Sequence, residues 1–127
     1  MREIIKTDKA PAALGPYSQA VKIDSSRLVF CSGQIALDPR TGEVVGKTAG
    51  EQCKQVMDNI SAILRAAGTD LSKVVKVTIY MTDIRDFGPV NEMYSTYFDM
   101  QPPARATVEV SRLPKEVKIE IDVIAIA

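Results

Sequence analysis

One stretch governs what this chain can fold into. From Thr48 to Gly68 it carries the marks of a complete amphipathic helix. Thr48 and Glu51 make the T-x-x-E capping pattern, in which each side chain accepts a hydrogen bond from a backbone N–H at the open end of the first turn. Behind it, Cys53, Val56, Met57, Ile60, Ile63, Leu64 and Ala67 recur at helical spacing. Gly68 then ends the helix as the residue just past the cap. Such a helix has one apolar face and must lie on another layer, and the rest of the chain offers strands for a sheet.

Ile4 and Ile5 suggest a short first strand, and the alanine- and proline-rich run from Lys9 to Gly15 reads as an ordered loop. Tyr17 to Asp24 and Leu28 to Gly33 read as two strands around the polar turn Asp24-Ser25-Ser26. Asp38-Pro39-Arg40-Thr41-Gly42 is a turn, with proline early and glycine late. Val74 to Thr82 is a strand with Val75, Val77, Ile79 and Met81 on one side. A second helix is expected from about Asp86 to Phe98, carrying Phe87, Val90, Tyr94 and Tyr97, and Pro102-Pro103 blocks its continuation. Ala106 to Val110 and Val117 to Ile126 are further strands. In the last, Val117, Ile119, Ile121 and Val123 share one face, and Lys118, Glu120 and Asp122 the other. The expected architecture is α+β: one domain, 1–127, with a single sheet and two helices packed on one of its faces.

Composition narrows the chemistry. Sixteen basic residues balance sixteen acidic ones, so no net field attracts nucleic acid. The densest charge patch, Lys115-Glu116-Val117-Lys118, is mixed in sign. There is no histidine, which excludes a Ser-His-Asp triad, a Cys-His dyad and most zinc sites. Acid-base work near neutral pH must then fall to a carboxylate, tyrosine, thiol, lysine or water. Cys31 and Cys53 are too few for a disulfide scaffold and sit in apolar surroundings, so both read as small buried hydrophobes. Free thiols suit a reducing compartment. The first residues, Met1-Arg2-Glu3-Ile4-Ile5-Lys6, lack the apolar core of a signal peptide, and no apolar run reaches membrane-spanning length, so a soluble, cytoplasmic protein is expected.

Four places could carry chemistry. Arg105 follows Pro102-Pro103-Ala104 and opens a strand, so a stiff backbone places its planar, carboxylate-matching fork. Glu120 lies mid-strand on a face that needs solvent, a ligand or another subunit; a carboxylate in a partly dry cleft can shuttle protons. Tyr17 follows Gly15-Pro16, and its hydroxyl can donate a hydrogen bond. Ser32-Gly33 ends a strand where glycine permits a ligand to approach the backbone closely. Each has a plainer reading: a surface ion pair for Arg105, a solvated strand residue for Glu120, a structural tyrosine at 17, a simple strand-to-turn junction at 32–33. No G-x-G-x-x-G, P-loop or metal-ligand spacing is present.

Five collinear strings resemble the RidA/YjgF family of reactive intermediate deaminases. They are Ala13-Leu14-Gly15-Pro16-Tyr17-Ser18-Gln19-Ala20, Cys31-Ser32-Gly33-Gln34-Ile35, Val90-Asn91, Pro103-Ala104-Arg105-Ala106-Thr107-Val108-Glu109-Val110, and Leu113-Pro114-Lys115-Glu116-Val117-Lys118-Ile119-Glu120-Ile121. The resemblance implies a chorismate-mutase-like α+β fold assembled as a homotrimer, with sheets inward, helices outward and clefts between subunits. It implies hydrolysis of 2-iminopropanoate and 2-iminobutanoate to 2-oxo acids and ammonia, without metal, flavin or phosphate cofactor. By the same resemblance, Arg105 holds the substrate carboxylate, Glu120 orients and deprotonates water, and Tyr17 stands in the cleft. Ser32 and Gly33 form part of the pocket wall, Asn91 is a nearby polar residue, and the backbone at Thr107 can meet the substrate. Several bacterial relatives have cysteine at the position of Thr107, so a thiol role is closed to this chain.

Two rivals stand beside this reading. One is a regulatory protein that binds 2-oxo acids without turnover. The other is an RNA-directed activity of the ribonuclease or translation-inhibitor kind, against which the neutral charge and missing histidine argue.

Overall fold

The computed structural model describes residues 2–24, 27–98 and 101–127. Six strands and two α-helices follow in the order β1 (Arg2–Ile5), β2 (Ala20–Ile23), β3 (Leu28–Gln34), α1 (Ala49–Ala66), β4 (Val74–Met81), α2 (Phe87–Ser95), β5 (Ala104–Glu109) and β6 (Ile119–Ile126). The main sheet has the order β3-β6-β4-β5. Strand β6 pairs antiparallel with both β3 and β4, while β4 and β5 run parallel with α2 as their crossover. Both helices lie on one face of this sheet, as the sequence predicts. The core joins Val56, Met57, Ile60 and Leu64 of α1, Val90 and Tyr94 of α2, Val77 and Ile79 of β4, and Ile119, Ile121 and Val123 of β6, all fully or almost fully buried.

Both ends of α1 form as the sequence indicates. The Glu51 N–H donates to Thr48 Oγ1 at 3.1 Å, and the Thr48 N–H donates back to the Glu51 carboxylate at 3.1 Å. A second donor, the Lys47 N–H at 2.9 Å, joins it, and these backbone bonds hold the Glu51 carboxyl below its ordinary pKa. At the other end Gly68 adopts φ +82°, and the N–H groups of Gly68 and Thr69 reach the carbonyls of Arg65 and Leu64. These two bonds are the Schellman pair, and the positive φ explains the glycine. Ala67 is the C-cap and is exposed, so it lies off the apolar stripe. Both cysteines are buried; burial pushes the Cys53 thiol up to about 12, which keeps it protonated and inert.

Several boundaries move. The expected single sheet is two: β1 and β2 form a separate two-stranded ribbon, tied to β5 by one parallel bridge between Ser18 and Ala104. Upstream, the bridge stops where Pro16 would face Pro102, neither with an N–H to give; toward β2 it is not continued. The strand expected from Tyr17 begins only at Ala20, where β1 becomes its partner. Strand β5 starts at Ala104, not Ala106, because the ladder opens as soon as Pro103 is passed. Helix α2 stops at Ser95 rather than Phe98; the N–H groups of Thr96 and Tyr97 turn back to the carbonyls of Met93 and Tyr94, a tighter winding that ends the helix. Strand β6 begins at Ile119, two residues after the expected Val117, because the Lys118 N–H is taken by the side chain of Gln52 at 2.8 Å. Of the turn expected at 24–26, Ser25 and Ser26 lie outside the described residues.

Removing the Thr48 hydroxyl leaves the Glu51 N–H without its acceptor. Thr48→Ala is expected to lower unfolding free energy by about 1 kcal/mol. Urea denaturation measures this as a lower midpoint at unchanged slope.

Candidate active site

The register of β5 decides where Arg105 points. Arg105 pairs with Val77 and Thr107 with Ile79, and both β4 partners are buried under the helices. The Arg105 side chain accordingly enters the layer between β5 and α2. Its guanidinium carbon lies 5.1 Å from the ring centre of Tyr94, 5.3 Å from that of Phe87 and 5.4 Å from that of Tyr17. Nη1 donates to Asn91 Oδ1 at 2.6 Å. Phe87, Asn91 and Tyr94 stand four and then three residues apart on α2, so one helical stripe supplies two aromatic walls and the acceptor.

Tyr17 arrives from the other side. The Ser18 N–H donates to the Pro103 carbonyl at 3.0 Å, and the Ser18 hydroxyl bonds the Pro102 carbonyl. This fastens the Gly15–Ser18 turn along the edge of β5 and lays the Tyr17 ring against the guanidinium. Among the described residues no carboxylate is within ion-pair distance of Arg105. Half-buried Arg105 is a partly desolvated cation with no counter-ion among the described residues, and that burial draws its pKa down from the ordinary arginine value. Two buried hydroxyls in contact range of this layer, Tyr94 Oη and Thr107 Oγ1, have no hydrogen-bond partner among the described residues. The group brings together one guanidinium, three aromatic walls and one neutral acceptor, a chemistry suited to an anion.

Glu120 belongs to a second group. Strand β6 alternates, so Glu120, opposite Tyr80 of β4, faces away from the helices. On its other side, the β3–β6 pairing runs regularly to Cys31 opposite Val123 and resumes with Gln34 opposite Ile121. The extra residue on β3 makes a bulge at Ser32-Gly33. The Glu120 carboxylate lies directly over this bulge: a β-carbon on Gly33 would stand 2.1 Å from Glu120 Oε2. Gly33 therefore admits Glu120 itself, where the sequence suggested close approach of a ligand to the backbone. The carboxylate makes no hydrogen bond to the described residues, and Ser32 and Gly33 are exposed beside it.

The seven residues singled out in the sequence thus gather in two places on one chain. Tyr17, Asn91, Arg105 and Thr107 surround the space between β5 and α2; Ser32, Gly33 and Glu120 meet on the opposite face of the sheet. Asn91 takes the role of holding the guanidinium. Phe87 and Tyr94 were not singled out, because an aromatic residue on an apolar helix stripe reads as core; their spacing around Asn91 is the signal that could have found them. Among the described residues no group of three His, Cys, Asp or Glu could hold a metal ion, and no helix is long and apolar enough to cross a membrane.

Gly33→Ala tests the contact at the bulge. Gly33 has no positive φ, so the backbone tolerates alanine, and the group struck is the free end of a flexible side chain. The variant is expected to lose less than about 1 kcal/mol of stability. Its crystal structure is expected to show the Glu120 carboxylate swung off the bulge.

Known proteins are similar to this chain over nearly its whole length. The family model described as Endoribonuclease L-PSP matches residues 7–127. The 2-iminobutanoate/2-iminopropanoate deaminase of Rattus norvegicus is 50% identical over 126 residues, covering 99% of this chain and 90% of that protein. The crystal structure of RidA from the Antarctic bacterium Psychrobacter sp. PAMC 21119 is 44% identical, covers 98% of this chain and 99% of that one, and superposes with a TM-score of 0.77. That of E. coli TdcF with bound serine is 41% identical, covers 98% of each chain, and gives a TM-score of 0.76. The chain belongs to the Endoribonuclease L-PSP family, the RidA/YjgF group that its five sequence strings resemble.

Proposed function

We propose that this protein hydrolyses small 2-imino acids, 2-iminopropanoate and 2-iminobutanoate, to 2-oxo acids and ammonia. The observation that carries this reading is the half-buried Arg105 guanidinium, held by Asn91 and three aromatic rings with no counter-ion among the described residues. A carboxylate supplies the missing charge and fits the fork of an arginine. Relatives of about half-identical sequence carry the deaminase name, and a related structure holds serine, a small carboxylate with nitrogen at C2.

The chemistry then needs little. The imine carbon C2 is electrophilic. Water adds its oxygen there while one of its protons leaves to Glu120, and the imine nitrogen is protonated to give a carbinolamine. Glu120 passes its proton to the amine nitrogen, the C2–N bond breaks with its electron pair leaving on nitrogen as ammonia, and the hydroxyl gives its proton to solvent as the C2=O bond of the 2-oxo acid forms. Arg105 fixes the carboxylate, so C2 is held in one place for attack. Glu120 takes and returns one proton.

Arg105 and Glu120 of one chain lie on opposite faces of its sheet, so a complete site on this reading draws Arg105 from one subunit and Glu120 from the next. A homotrimer of inward-facing sheets supplies that pairing. Its support is the open sheet face shared with Glu120, Asp122 and Tyr80, where Leu28 and Val108 are exposed and Phe30 is 70% exposed. The family description also names an endoribonuclease; zero net charge and the absence of histidine leave an RNA backbone little to bind and no imidazole to cleave it.

Sedimentation at micromolar concentration is expected to give a trimer. Arg105→Lys is expected to lose about 2–4 kcal/mol in kcat/KM, because an ammonium cannot fork two carboxylate oxygens. Glu120→Gln is expected to lower kcat about a hundredfold while a 2-oxo acid still binds in calorimetry, because Arg105 supplies the carboxylate contact. Mixing the two inactive variants and refolding them together decides whether a site is shared. Random hybrid trimers then restore both residues in about a quarter of the sites. No recovery of ammonia release on mixing would place both residues in one subunit's site and defeat the shared arrangement.

A further inference from the structure

We infer that Gln19 is a positioning residue for substrate binding: its side chain staples the 7–11 loop and so keeps Tyr17 against Arg105. This rests on the reading of Arg105 as the carboxylate receptor. Residues 7–12 are exposed along their whole length, and beneath them opens a cleft of about 920 Å3 lined by Ile4, Ile5, Ala10, Ala13, Tyr17 and Gln19. Apolar packing therefore does little to hold the loop. The side-chain amide of Gln19 does hold it. Its Oε1 accepts from the Thr7 N–H at 2.7 Å, and its Nε2 donates to the carbonyls of Thr7 at 3.0 Å, Pro11 at 2.7 Å and Ala10 at 3.3 Å. The pair with Thr7 copies a backbone rung and extends the β1–β2 ladder past its last pair, Ile5 with Ala20.

The stapled loop runs on through Ala13 and Leu14 into the turn that carries Tyr17, where the Tyr17 N–H donates to the Gly15 carbonyl at 2.8 Å. Downstream, Ser18 is already fastened to the Pro102 and Pro103 carbonyls. Tyr17 is thus held from both sides, by Ser18 on β5 and by the loop through Gln19. With the staple gone, only the Ser18 anchor remains, and the ring is free to leave the guanidinium 5.4 Å away. The Arg105 fork then loses one of its three walls and its fixed orientation. That costs substrate binding and leaves proton transfer untouched, since the Glu120 that takes the proton belongs to the neighbouring subunit and is not held by the loop.

The test is a double-mutant cycle of Gln19→Leu with Tyr17→Ala, read in kcat, KM and hydrogen exchange of residues 7–13. Gln19→Leu is expected to speed exchange of the Thr7 amide, to raise KM about tenfold and to leave kcat within about twofold. In the Tyr17→Ala background the same change is expected to raise KM by less than about twofold, since the group it positions is already gone. A merely structural role would instead lower the active fraction, and with it kcat, at constant KM. Equal effects in both backgrounds, or faster exchange with unchanged KM, would overturn the proposal. If Gln19→Leu does not fold, Gln19→Glu keeps the bond from the Thr7 N–H and loses the donations; a KM between wild type and Tyr17→Ala supports the staple, and a wild-type KM defeats it. Arg105→Lys measured alongside separates the two claims. Unchanged 2-oxo acid binding in that variant sinks the carboxylate reading and this proposal with it, whereas binding lost there but kept in Gln19→Leu sinks this proposal alone.

Discussion

The alternation of β6 and β4 under the two helices is the constraint from which the site's geometry follows. Ile119, Ile121 and Val123 of β6 and Val77, Ile79 and Met81 of β4 are buried on one face. A strand turns successive side chains to opposite faces, so burying these commits Glu120 and Asp122 to the other. The parallel register then sets Arg105 and Thr107 beside Val77 and Ile79, on the helix face. A slip of one residue in the β6 ladder would move Glu120 and Asp122 into the core, and one in the β5 ladder would turn Arg105 out of the helix layer. The hydrophobic pattern that stabilises the sheet therefore also separates the two groups on which the proposed chemistry rests.

Arg105 shows what that placement costs. Taking a guanidinium partly out of water is unfavourable by several kcal/mol when it is fully buried, and by less at the half-burial seen here. A charged hydrogen bond to Asn91 returns about 1.5–3 kcal/mol and each ring contact about 0.5–2. None of these partners carries a full negative charge. The arginine is held in place without being neutralised, which is what a receptor for an anion requires. At Glu120 the arrangement is different in kind: a bulge and a glycine leave room for a carboxylate that makes no hydrogen bond to the described residues.

Much of this was legible in the residues. The capping box, the apolar stripe and Gly68 specify α1 almost to the residue, because each acts through bonds within a few positions of chain. The long alternating strands were legible for the same reason, since a period of two needs no partner to be read. The boundaries that moved depend on something distant. The start of β6 depends on Gln52 of α1. The separation of the β1–β2 ribbon shows only in the pairing itself, where a single bridge, Ser18 with Ala104, joins it to β5.

By itself the sequence determined the elements, the buried faces and the chemical means at hand: no histidine, a proline-stiffened arginine, a mid-strand glutamate. It also determined the family, through strings too specific and too well ordered to arise apart. Only the tertiary structure decided that Phe87, Asn91 and Tyr94 enclose Arg105, that Gly33 makes way for Glu120, and that these two groups lie on opposite sides of one sheet. Helix spacing and strand alternation are local and can be read along the chain. Which strand lies beside which, and in what register, is settled by packing between residues far apart in sequence, and the site is made by that register.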